Sequence, residues 1–111
     1  TNDCLYCQTH HGEALNHFWK DQTKIDQLVA DFEQSQLSAT DLELCRLAQR
    51  ITASPNQGTA GAHFTELRKL EVSDRLLLDA MLVIAYFNFV NRLVLGLGVQ
   101  LEENPGGYEY E

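Results

Sequence analysis

A run of apolar side chains from Leu76 to Leu97 constrains this chain more than any other feature. As one helix it is long enough to cross a bilayer. Asp79, Asn88, Asn91 and Arg92 lie inside it, and each makes burial in lipid costly. A buried central helix, available to a subunit interface, accommodates both facts. Ser73 fits the cap at its start, and Gly96 and Gly98 its end, so the helix is expected from about Asp74 to Leu95.

The rest of the chain also reads as helix. Residues 4 to 19 contain nothing that must end one. Ile25, Leu28, Val29 and Phe32 have the i, i+3, i+4, i+7 spacing of a short amphipathic helix. Ser38 followed by Asp41 is a helix start, and the segment it opens carries Leu42, Cys45, Leu47, Ala48 and Ile51 before Ser54-Pro55. Asn56-Gln57-Gly58 reads as a turn, with Thr59 capping a helix that places Phe64, Leu67 and Leu70 on one side. No stretch reads as a strand and no segment repeats. The expected fold is all-α, with one helical domain over residues 1–103 and an acidic extended tail over 104–111.

The net charge of −8, from 16 acidic against 8 basic side chains, argues against nucleic acid or an anionic membrane as partner. Three cysteines are too few for a secreted disulfide framework. A close cysteine pair in a thiol-poor chain suits a reducing compartment, and no signal peptide is visible, so a cytoplasmic location is expected. The motif lies almost at Thr1, which leads to the expectation of an upstream segment and of a partner chain that completes the core.

That motif is Cys4-Leu5-Tyr6-Cys7-Gln8-Thr9-His10-His11. At about 100° per residue, Cys4, Cys7 and His11 fall within roughly 60° on one helix face. An i, i+3 pair near a helix start can meet the roughly 4.4–6.8 Å Cα separation of a disulfide. A helix N-terminus stabilises a thiolate, the reactive form of cysteine. His11, one turn after Cys7, can exchange a proton with it. His10 points about 100° away from His11 and is read as orienting the segment or meeting another subunit.

Other readings compete at each position. Cys4, Cys7 and His11 could supply three zinc ligands, with His17 or His63 as the fourth, but no second CxxC or HxxxH is present. Redox use of the pair is favoured. His17 and His63 are read as structural or exposed, and Cys45 as a small buried hydrophobe. Asn88, Asn91 and Arg92 are read as packing or assembly contacts. Tyr86, Phe87 and Phe89 are read as core or interface.

Cys4-x-x-Cys7-x-x-His10-His11-Gly12 resembles the CxxCxxHH segment of AhpD-like alkylhydroperoxidases, in the carboxymuconolactone decarboxylase superfamily. Ala85-Tyr86-Phe87-Asn88-Phe89-Val90-Asn91-Arg92 and Leu97-Gly98-Val99-Gln100-Leu101-Glu102 are similar to the branch labelled peroxidase-related proteins. The resemblance covers nearly the whole chain. It implies an all-helical homo-oligomer that reduces hydroperoxides with its cysteine pair. The resemblance also implies that neither metal nor any other cofactor takes part and that an external dithiol is the reductant. It makes Cys7 the attacking thiolate, Cys4 the resolving thiol and His11 part of the proton relay. The family also uses a glutamate twelve residues before the first cysteine, a position that would precede Thr1. A catalytically inert AhpD-like oligomerisation domain is the alternative.

Overall fold

The computed structural model describes residues 1–104, so the acidic tail expected from residue 104 falls, beyond Asn104 itself, outside the described residues. Five α-helices follow in order: α1 (Leu5–Trp19), α2 (Gln22–Ala30), α3 (Ala39–Ala53), α4 (Gln57–Lys69) and α5 (Asp74–Leu97), with a 3-10 turn at Phe32–Gln34. Among the described residues there is no strand. The chain divides into two units, one of residues 1–2 and 36–90, the other of residues 3–35 and the chain from Asn91.

The first unit holds the larger core. Ser38 caps α3 by accepting from Asp41 N–H, and the α3–α4 connection is only Ser54-Pro55-Asn56. Asn56, rather than Thr59, caps α4: its Oδ1 accepts from Thr59 N–H at 3.0 Å. The expected turn thus becomes the first turn of the helix. Leu47 and Leu67 are fully buried and meet Ala60, Val72, Leu77 and Ile84, with Leu44, Ile51, Phe64 and Met81 packed around them. Leu70 is the α4 cap and is exposed. Glu71 then adopts φ 65°, and Val72 N–H reaches back to Leu67 O, which drops Val72 into the core. The carboxylate of Glu43 is also buried here, held by His63 Nδ1 at 2.6 Å and Arg46 Nη1 at 3.2 Å.

Helix α5 departs from the expected buried central helix. Its buried residues are Leu77 and Ile84, while Leu78, Leu82, Val83, Tyr86 and Phe89 are exposed. The helix is apolar nearly all round, and its own unit covers a single stripe of it. On the covered side Asn88 accepts from Asn2 Nδ2 and donates to Thr52 Oγ1, each at 2.9 Å. Gly96 lies inside the helix, which continues to Leu97 and ends at Gly98, with φ 65°. By length and composition α5 could cross a membrane.

The second unit is built on α1 and α2. Lys20 turns the chain in the left-handed conformation, its N–H bonding Asn16 O, and Asp21 caps α2 through Lys24 N–H. Gly12 lets the helices approach, since a Cβ there would lie 3.4 Å from Ile25 Cγ2. Lys24 sits 4.1 Å over the Trp19 ring. The buried residues of this unit are Cys4, Cys7, His10 and Ile25. The motif cysteines are therefore half of the buried residues described in this unit.

Candidate active site at the start of the first helix

Asp3 enters the site at φ 52°, a left-handed conformation that Asp tolerates better than most residues. The turn delivers Cys4 as the N-cap of α1, with extended backbone and its carbonyl accepting from Gln8 N–H. Cys4 is thus the cap, one residue outside the helix expected to include it. Its Sγ accepts from Cys7 N–H at 3.4 Å, the role that serine or aspartate oxygen plays at other helix starts. Cys4 and Cys7 form a disulfide, with a Cα–Cα distance of 5.3 Å. Cys45 lies outside this bond and is half-buried.

Burial sorts the two histidines. His10 is buried with the cysteines, at 8 % exposed against 3 % for Cys4 and 5 % for Cys7. His11 faces solvent. Partial desolvation of its ring and, after that, the charge on His10 lower its pKa, which favours a neutral imidazole able to accept a proton. Along the helix His10 and His11 follow Cys7 at i+3 and i+4.

A carboxylate completes the site from the far end of the chain. His10 Nε2 lies 2.9 Å from Glu102 Oε2, and the Tyr6 hydroxyl donates to Glu102 Oε1 at 3.2 Å. The Tyr6 and His10 rings are 4.4 Å apart between centroids. Glu102 is itself exposed. Its pKa is lowered, first by its own backbone N–H, then by the His10 hydrogen bond, with Tyr6 adding to the effect. Neither Tyr6 nor Glu102 was singled out as a site residue by spacing. No periodicity links positions 92 residues apart. The available signal was the helix-ending Gly98, after which the chain can turn back.

His17 is exposed and packs edge-on against Phe18, and His63 belongs to the Glu43 cluster. Among the described residues, no group of three or more His, Cys, Asp or Glu side chains is placed to hold a metal ion. The possible zinc set of Cys4, Cys7 and His11 with His17 or His63 is therefore not assembled. No protein-family model matches the chain, and no curated protein matches it.

Proposed function

We propose that this protein is a cofactor-free thiol peroxidase of the AhpD-like kind, reducing hydroperoxides with Cys4 and Cys7. The observation that carries the reading is the buried Cys4–Cys7 disulfide across the first turn of α1, with His10 and His11 one turn beyond Cys7. A bridge between residues only three apart restrains little of the unfolded chain, less than the ~3 kcal/mol expected for a 15-residue loop. Its placement suits chemistry better than stapling.

In the proposed cycle, Cys7 thiolate attacks a hydroperoxide oxygen. The O–O bond breaks, a histidine supplies the proton that lets the alcohol or water leave, and Cys7 becomes a sulfenic acid. Cys4 displaces the sulfenic hydroxyl as water, forming the disulfide. An external dithiol returns both thiols by exchange and is itself oxidised to a disulfide. The Cys7 N–H hydrogen bond to Cys4 Sγ supports a second assignment, in which Cys4, at the positive end of the helix, attacks first.

The exposed stripe of α5 is covered, on this reading, by a second copy of the chain in a cytoplasmic homo-oligomer. An inert oligomerisation domain would share that surface. Peroxide consumption separates the two. Pre-reduced protein should consume one organic hydroperoxide per chain and form the Cys4–Cys7 disulfide, and excess dithiol should make the reaction catalytic. Consumption no faster than with dithiol alone, in an assembled protein, would favour the inert domain.

A further inference from the structure

We propose that Glu102 is a positioning residue for the thiol chemistry, holding His10 as the group that exchanges a proton with Cys7. This inference rests on the reading of Cys4 and Cys7 as a redox pair.

Two histidines are near enough in sequence to serve Cys7, and they sit in different surroundings. His11 is solvent-exposed, whereas His10 shares the buried environment of the two sulfurs. Charge formed at a buried sulfur is best matched by a cation formed beside it, where water screens little. Side chains at i and i+3 of a helix share a face, so His10 is the buried histidine on the Cys7 side of α1.

Glu102 controls what that ring can do. A carboxylate 2.9 Å from Nε2 keeps a proton on that nitrogen, so Nδ1 is the basic nitrogen of the neutral ring. The Tyr6 hydroxyl occupies the other carboxylate oxygen, and its ring lies against His10, so the imidazole plane is fixed from two sides. The carboxylate is ionised at neutral pH, consistent with its lowered pKa. It stabilises the imidazolium that forms when Cys7 gives up its proton. In the forward direction the Cys7 thiol proton passes to His10, leaving a thiolate and an imidazolium. During reduction of the disulfide, the incoming dithiol's thiolate breaks the S–S bond and His10 returns the proton to the departing Cys7 sulfur.

Tyr6, Cys4 and His11 share the start of α1 with His10. From α2, Lys24 is committed to the Trp19 ring and Asp26 accepts from Gln22.

The test is the pH profile of iodoacetamide alkylation of Cys7, read by peptide mapping on reduced full-length Cys4→Ser protein without peroxide. Glu102→Gln keeps hydrogen-bonding capacity and removes the charge. It should move the profile upward by about one pH unit, roughly a tenfold slower alkylation at neutral pH. Glu102→Asp should restore part of the shift. In a His10→Asn background, Glu102→Gln should have no further effect. A direct field of the carboxylate on sulfur has the opposite sign, so a downward shift overturns the proposal, as does an unchanged profile. Glu102 is exposed, so its variant does not depend on core packing and decides the question even if His10→Asn fails to fold. The Glu102→Gln shift, together with wild-type protein that consumes no peroxide, would remove the peroxidase reading alone.

Discussion

His63 Nδ1 lies 2.6 Å from Glu43 Oε1, joining α4 to α3 through a carboxylate that is only 7 % exposed. Arg46 takes the second oxygen of the same group. A buried carboxylate is tolerable only with such partners. Glu43→Ala leaves His63 and Arg46 without it and should cost about 2–3 kcal/mol, somewhat below a fully buried pair because both partners are partly exposed. Glu43→Gln should cost less. Urea denaturation measures both, and equal stability of Glu43→Ala and wild type would show that the cluster contributes nothing.

The order of attack is open to direct chemistry. In the proposed cycle the i+4 position of His11 favours attack by Cys7, while the capping hydrogen bond supports Cys4. Cys4→Ser should leave one peroxide turnover that stalls as a sulfenic acid on Cys7, trappable by dimedone. Cys7→Ser should react far more slowly. Trapping at Cys4 in Cys7→Ser, with none at Cys7 in Cys4→Ser, reverses the assignment.

Leu82 and Phe89 are each 60 % exposed on α5, on the side away from Leu77 and Ile84. Burying a side chain of this size is worth about 1.5–3 kcal/mol, so two such residues per chain weigh heavily in an assembly. Wild-type protein should therefore be a homo-oligomer by light scattering, and Leu82→Glu with Phe89→Glu should release folded monomers. A wild-type monomer at micromolar concentration would refute the covered face.

Acid should weaken the fold in two windows. The His11 pKa lies below 6.5 in the folded chain, by burial and by the charge on His10. As pH falls through 6.5 the unfolded chain therefore takes up this proton first, and stability declines. The lowered Glu102 pKa acts in the same sense further down: its contribution is present above 4.5 and is lost as pH falls through the folded value. The melting temperature should drop between about pH 7 and pH 5, and His11→Gln should flatten that limb. A wild-type curve flat over this range contradicts the His11 term.

Glu71 carries a side chain at φ 65°, where an L-residue costs about 1 kcal/mol or more. Glu71→Gly should stabilise the protein by roughly 0.5–1 kcal/mol, provided the Val72 hydrogen bond to Leu67 is kept. Gly98→Ala, at the same φ, should have the opposite effect. Thermal melts of the two variants moving in the same direction would argue against this account.

Much of the helical order was readable because it is locally encoded. Ser38 and Ser73 carry hydroxyls where the first backbone donors need acceptors, and both bonds form. Asn56 was less legible, because Gly58 two residues on is a poor helix former, yet one cap overrides it. On α3 the apolar pattern includes Leu42, Cys45 and Leu47, whereas the buried residues are Leu47 and Glu43. The burial of Glu43 depends on His63, twenty residues away, which no local pattern reports. The cysteine pair and its bridge were legible from i, i+3 spacing. The partner of His10 was not, because it depends on where the chain returns after α5.

That return has a consequence for how the protein is made. The second unit is encoded in two pieces, with residues 36–90 of the first unit between them. At about 5–20 residues per second, the ribosome needs roughly 5–20 s to travel from codon 10 to codon 102. In the later part of that interval both sulfurs can already be outside the exit tunnel while Glu102 has yet to be translated. The nascent chain thus carries its thiols before it carries the carboxylate proposed to position His10, and a chain released before residue 102 would never acquire it.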